Sequence, residues 1–99
     1  MGLLNTLKEG LFGPKKDFNE LKRNGAVVVD VRTPQEYKSG HVNGSINIPL
    51  NLLNHKIDTL KNKEVILVCR SGARAGQAKS ILESNGITAH NAGAWQNVL

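Results

Sequence analysis

Two unbroken apolar runs constrain this chain more than anything else in it: Ala26-Val27-Val28-Val29-Asp30-Val31 and Glu64-Val65-Ile66-Leu67-Val68-Cys69. Neither alternates apolar with polar residues, so each predicts a strand covered on both faces, as in a parallel sheet flanked by helices. The stretch between them is too long for a hairpin and carries helical signals. Thr33-Pro34-Gln35-Glu36 combines an N-cap, a proline at the first helical position and a glutamate spaced to reach back to the cap, with Gly40 as the stop. Ile46 and Ile48 alternate with polar residues before Pro49, which predicts a short strand, and Leu52, Leu53, Ile57 and Leu60 suit a helix after it. Beyond the second run, Ala75, Ala78, Ile81 and Leu82 recur at helical spacing until Asn85-Gly86. Ile87 to Ala89 predicts a last short strand, and Trp95 with Val98 a final packed turn. Upstream, Asp17 and Glu20 are spaced as a capping box for a short helix with Phe18 and Leu21 buried, ending near Arg23 before Asn24-Gly25. Strands and helices thus alternate, which predicts an α/β domain with a mainly parallel sheet and helices on both sides.

The chain of 99 residues reads as a single domain, 1–99. Leu3, Leu4, Leu7 and Leu11 share one helical face until Gly13-Pro14, so residues 1–14 are expected to form a helical N-terminal extension on a core spanning 15–99. One cysteine makes neither an internal disulfide nor a multi-cysteine metal site, so no cofactor or metal is expected, and a reducing compartment, the cytoplasm, is. No apolar stretch is long enough for a secretory signal or a membrane span. A formal charge of +5, from 13 Lys and Arg against 8 acids, draws anions without naming one. Nucleic acid is disfavoured as a partner, because the lysines are scattered and no recognition motif accompanies them. The chain is short, has no coiled-coil pattern and is expected to be a monomer.

Cys69 stands where a buried strand gives way to Arg70-Ser71-Gly72-Ala73-Arg74 and then to a helix. In such a place the free N–H groups of the loop and of the first helical turn converge on the sulfur, and the helix dipole adds positive potential. Arg70 and Arg74 add two full charges nearby. All of these effects favour thiolate over thiol, so a lowered pKa and a nucleophilic sulfur are expected. A lone cysteine ending an apolar strand is more often a small buried hydrophobe. The glycine and the two arginines weigh against that here.

Cys69-Arg70-Ser71-Gly72-Ala73-Arg74 resembles the active-site loop of rhodanese-like domains. Asp30-Val31-Arg32-Thr33-Pro34-Gln35-Glu36-Tyr37 with Gly40-His41-Val42-Asn43-Gly44-Ser45-Ile46-Asn47-Ile48-Pro49 is similar to their upstream signature. The resemblance spans about Asp17 to Trp95, departing at Ala92-Gly93, where the family often has two glycines. It implies a central sheet of about five strands with a semicircular cradle after the Cys69 strand. It also implies a sulfurtransferase in which Cys69 attacks the outer sulfur of thiosulfate, a polysulfide or a persulfide, and passes it from a Cys69 persulfide to cyanide, a thiol or a sulfur-relay protein. Arg70 and Arg74 would attract the anionic donor, and the N–H groups from Arg70 through Ser71, Gly72 and Ala73 to Arg74 would hold the persulfide. An ionised thiolate expelling a weakly basic group needs no general base, so His41, His55 and His90 are not required, and His41 reads as structural. Asp30, Arg32 and Glu36 are read as a local set that caps the helix and pairs charges.

Two rivals remain. A phosphatase or arsenate reductase of the same fold carries its loop arginine one position further on, where this chain has Ala75, and arsenate reduction usually calls for a resolving thiol. A non-catalytic or sulfur-relay interaction module typically loses the cysteine that is present here.

Overall fold

The computed structural model describes residues 17–99, so the N-terminal helix expected around Leu3 to Leu11 lies outside the described residues. The first element, α1 (Phe18–Arg23), starts at Asp17, whose Oδ1 accepts the Glu20 N–H at 3.0 Å, and ends at Asn24. Phe18 and Leu21 are half-buried rather than buried, because a helix of 6 residues rests against one sheet face without being covered itself. Then come β1 (Val27–Asp30), α2 (Pro34–Lys38) and β2 (Ile46–Asn47). The expected continuous helix after β2 is instead a 3-10 segment, Leu50–His55, followed by the single-turn α3 (Ile57–Leu60). Leu53 and Leu60 are buried while Leu52 stays 45% exposed, so the tighter winding spends its apolar residues on one contact line. Strand β3 (Val65–Cys69) is buried throughout and leads into α4 (Ala73–Ser84). Strand β4 (Ala89–Ala94) precedes a closing 3-10 turn, Trp95–Val98.

Among the described residues the sheet has the order β2-β1-β3-β4 with every pair parallel, the mainly parallel sheet expected, with four strands rather than about five. The last strand also lies further along than Ile87 to Ala89: it begins at Ala89, opposite Val65. Alternate residues divide the core between the two faces. Val29, Leu67 and Cys69 pack with Ala75, Ala78 and Leu82 of α4 and with Leu53 and Leu60. Val28, Ile66 and Val68 pack with Val98, and α1 and Trp95 lie against that face. Cys69, the start of α2 and the start of α4 therefore meet at the C-terminal edge of the strands, the edge where open parallel sheets place ligands. No helix among the described residues is long and apolar enough to cross a membrane.

Candidate active site

Below the site lies a rigid polar floor. Asp30, ending β1, is fully buried, and Arg32 is 4% exposed. The Arg32 Nε donates to both Asp30 carboxylate oxygens at 2.9 and 3.0 Å, and Nη2 donates to Oδ2 and to the Gly40 carbonyl, each at 2.7 Å. Asn47 Nδ2 donates to the carbonyls of Asp30 and Arg32, tying β2 to the turn after β1. The guanidinium lies 5.1 Å from the centre of the Trp95 ring, and a Cβ at Gly40 would stand 3.2 Å from that ring, so glycine lets the ring close over the pair. A buried charge pair needs this full set of partners to be tolerated. Asp30 and Arg32 are thus structural, as expected.

Above this floor, α2 has the complete capping box: Thr33 Oγ1 accepts the Glu36 N–H, and Glu36 Oε1 accepts the Thr33 N–H at 3.0 Å. Glu36 does more than the expected local capping. Arg74 Nη1 donates to its Oε1 at 2.7 Å and Nη2 to its Oε2 at 3.1 Å, a bidentate pair between residues 38 apart in sequence. The Arg74 guanidinium, with the cap N–H, holds the Glu36 carboxyl down at about 2, and the carboxylate in turn raises the Arg74 pKa.

Cys69 is 1% exposed at the end of β3. Burial pushes its thiol pKa up, but the backbone N–H groups of Ala75, Gly72, Ser71 and Arg74 outweigh that and leave it lowered. The Gly72 N–H points at Sγ with N···S 2.9 Å. To aim there, Gly72 takes φ 106° and ψ −13°, a region that side chains disfavour and glycine tolerates. The Gly72 N–H is thus the donor in hydrogen-bond contact with Sγ, and among the influences that lower the thiol pKa the backbone N–H groups come first. Of the loop residues, Arg70, Ser71 and Ala73 are exposed, while Gly72 and Arg74 are half-buried.

A residue that sequence reasoning passed over braces the loop from the other side. Asn91 of β4 donates through Nδ2 to the Gly72 carbonyl at 3.0 Å, and its Oδ1 accepts the Gly93 N–H at 2.9 Å. The β3–β4 register shifts just here, so that Cys69 pairs with Ala94 while Leu67 pairs with Asn91. Such a bulge turns a strand segment out of the ladder. An Asn two residues before a glycine was the available signal, and it names a turn without saying what the amide touches. Two of the histidines are engaged locally: His41 Nδ1 bonds the Tyr37 carbonyl at 2.7 Å with its ring stacked on Tyr37, and His90 pairs with Glu64.

Comparison with known proteins gives a consistent picture. A family model described as the rhodanese-like domain matches residues 15–98. The chain is 42% identical over 74 residues to thiosulfate sulfurtransferase PspE of Escherichia coli (strain K12), covering 71% of each chain. It is 33% identical over 73 residues to thiosulfate sulfurtransferase GlpE of Pseudomonas entomophila (strain L48), covering 69% of this chain and 63% of that one. Among solved structures, a rhodanese with anions from E. coli superposes with a TM-score of 0.68 at 38% identity, covering 74% of this chain and 91% of the other.

Proposed function

The chain belongs to the rhodanese-like domain family, and on that premise we propose that it is a sulfurtransferase carrying sulfur as a Cys69 persulfide. The observation that carries this reading is the thiol of Cys69, lowered despite burial and met by the Gly72 N–H at 2.9 Å. In the first half-reaction the thiolate attacks the outer sulfur of thiosulfate or a similar donor. The donor's S–S bond breaks, sulfite leaves with the bonding pair, and Cys69 keeps the sulfane sulfur. In the second, cyanide or a thiolate, free or on a sulfur-relay protein, takes that terminal sulfur and the Cys69 thiolate is restored. A lowered thiol pKa favours the attacking thiolate, and His41 has no base role in this reading.

Arg70 and the first-turn guanidinium of Arg74 are the cationic elements of the donor site, and Ser71, Gly72 and Ala73 complete the cradle. The working unit in this reading is a monomer built on the core of residues 15–99 and acting in the cytoplasm, with Cys69 as its free thiol.

The test is the intact mass after incubation with thiosulfate, for the wild type and for Cys69→Ser. A gain of one sulfur, discharged by cyanide as thiocyanate and missing from the variant, is expected. Retention of no sulfur with no thiocyanate formed would overturn the thiosulfate-to-cyanide reaction.

A further inference from the structure

Arg70 and Arg74 both follow Cys69 in the loop sequence, but the structure treats them differently. Arg70 is exposed and takes no part in an ion pair among the described residues. Arg74 is engaged through both terminal nitrogens by Glu36, with the two side chains 32% and 28% exposed. A half-buried bidentate pair is close to neutral when seen from outside, and its geometry resists opening more than a surface lysine pair does. An anion approaching Cys69 therefore meets one uncommitted guanidinium, not two.

We infer that Glu36 is a specificity-determining residue: by holding Arg74 in a neutral pair it weakens the positive field over Cys69 and weights the site toward donors of low charge over dianionic sulfur oxyanions. The proposal rests on the sulfurtransferase reading and deepens it. Thiosulfate brings two negative charges and a sulfonate group. An organic persulfide brings at most one, and offers the same sulfane sulfur. For a persulfide the step is balanced without any further reactant: Cys69–S⁻ bonds to the outer sulfur of R–S–SH, the donor's S–S bond breaks, and R–S⁻ leaves with the bonding pair. The field cost of pairing Arg74 falls about twice as heavily on the dianion, since the interaction scales with the product of charges.

Glu36→Gln keeps the size of the side chain and an oxygen for the Thr33 N–H while removing the charge. The first measurement is the ratio of Cys69 alkylation rates with iodoacetate and with iodoacetamide. The neutral reagent monitors the integrity of the cradle and the ratio isolates the field. The ratio should rise about threefold to tenfold in the variant. The second is the ratio of kcat/KM for thiosulfate to kcat/KM for the persulfide of 2-mercaptoethanol, which carries no other charged group, and it should rise in the same direction. Should the glutamine variant fail to fold, Glu36→Asp retracts the carboxylate from Arg74 by one methylene and should raise both ratios by a smaller factor. An unchanged alkylation ratio in a protein that takes up sulfur overturns the role of Glu36 alone. A wild type that takes sulfur from neither donor overturns the donor preference together with the function beneath it.

Discussion

Replacing Asn91 by alanine separates what braces the candidate loop after Cys69 from what merely surrounds it. Two hydrogen bonds disappear, one to the Gly72 carbonyl at 3.0 Å and one from the Gly93 N–H at 2.9 Å. Each bond contributes about 0.5–1.5 kcal/mol, and because Asn91 is exposed the abandoned groups can turn to water, so the loss should be about 1–2 kcal/mol in total. At a slope of about 1 kcal/mol/M that lowers the urea midpoint by about 1–2 M. The consequence for chemistry is more specific. The Gly72 carbonyl still accepts the Gly76 N–H at 2.9 Å, but the loop loses its tie to β4, so the Gly72 N–H should drift from Sγ and the pH midpoint of Cys69 alkylation by iodoacetamide should move up. Asn91→Asp keeps an acceptor for Gly93 but faces the Gly72 carbonyl with a charge and no donor. It should therefore raise the alkylation midpoint at least as much while costing less stability. If urea stability falls as calculated and neither variant moves the alkylation midpoint, the amide is only a structural brace and the argument for positioning fails.

Gly72→Ala places a Cβ 3.4 Å from the Gly93 Cα, an ordinary contact, so the cost comes from φ 106° and should be about 1–2 kcal/mol in thermal or chemical unfolding; a wild-type Tm would contradict it. The Glu36 carboxyl is held at about 2 against an ordinary 4.5, so the unfolded chain binds the proton more readily and stability falls as pH drops from about 4.5 toward 2. Acid titration of Glu36→Gln, followed by circular dichroism, should show a shallower fall over that window. Asp30→Ala strands the buried Arg32 charge and should cost about 3–5 kcal/mol, read as a collapse of the unfolding midpoint. A loss under 1 kcal/mol, on the order of a surface pair, would mean that Arg32 finds water or another partner.

What the sequence discloses here follows from how local the cause is. Strands β1 and β3 declare themselves through apolar runs rich in β-branched residues, and α2 through Thr33, Pro34 and Glu36, because burial on both faces and end-capping are encoded within a few residues. Strand β4 is hidden. Ala89-His90-Asn91-Ala92-Gly93-Ala94 contains no β-branched residue, and it becomes a strand by pairing with β3 on one side, so tertiary contact overrides its weak propensity. The candidate nucleophile was legible because a strand end, a glycine and a helix start are consecutive. Its two braces were not, since Glu36 and Arg74 lie 38 residues apart and Asn91 and Gly72 lie 19 apart, and only the sheet brings them together.

That geometry separates two electrostatic jobs that the sequence had merged. Thiolate stabilisation falls to backbone N–H groups, of Ala75, Gly72, Ser71 and Arg74, with that of Gly72 2.9 Å from Sγ. Dipoles so close to a buried sulfur leave no room for counter-ions between, so added salt should hardly alter the thiol's ionisation. Attraction of the donor is instead a long-range effect of exposed Arg70 and of a chain with formal charge +5, and it is screened over about 8–10 Å at ordinary ionic strength. Raising salt from low to physiological strength should thus leave the pH midpoint of iodoacetamide alkylation in place while slowing sulfur uptake from thiosulfate. A midpoint that climbs with salt would instead assign the thiolate to the guanidinium charges and refute a cradle built from backbone dipoles.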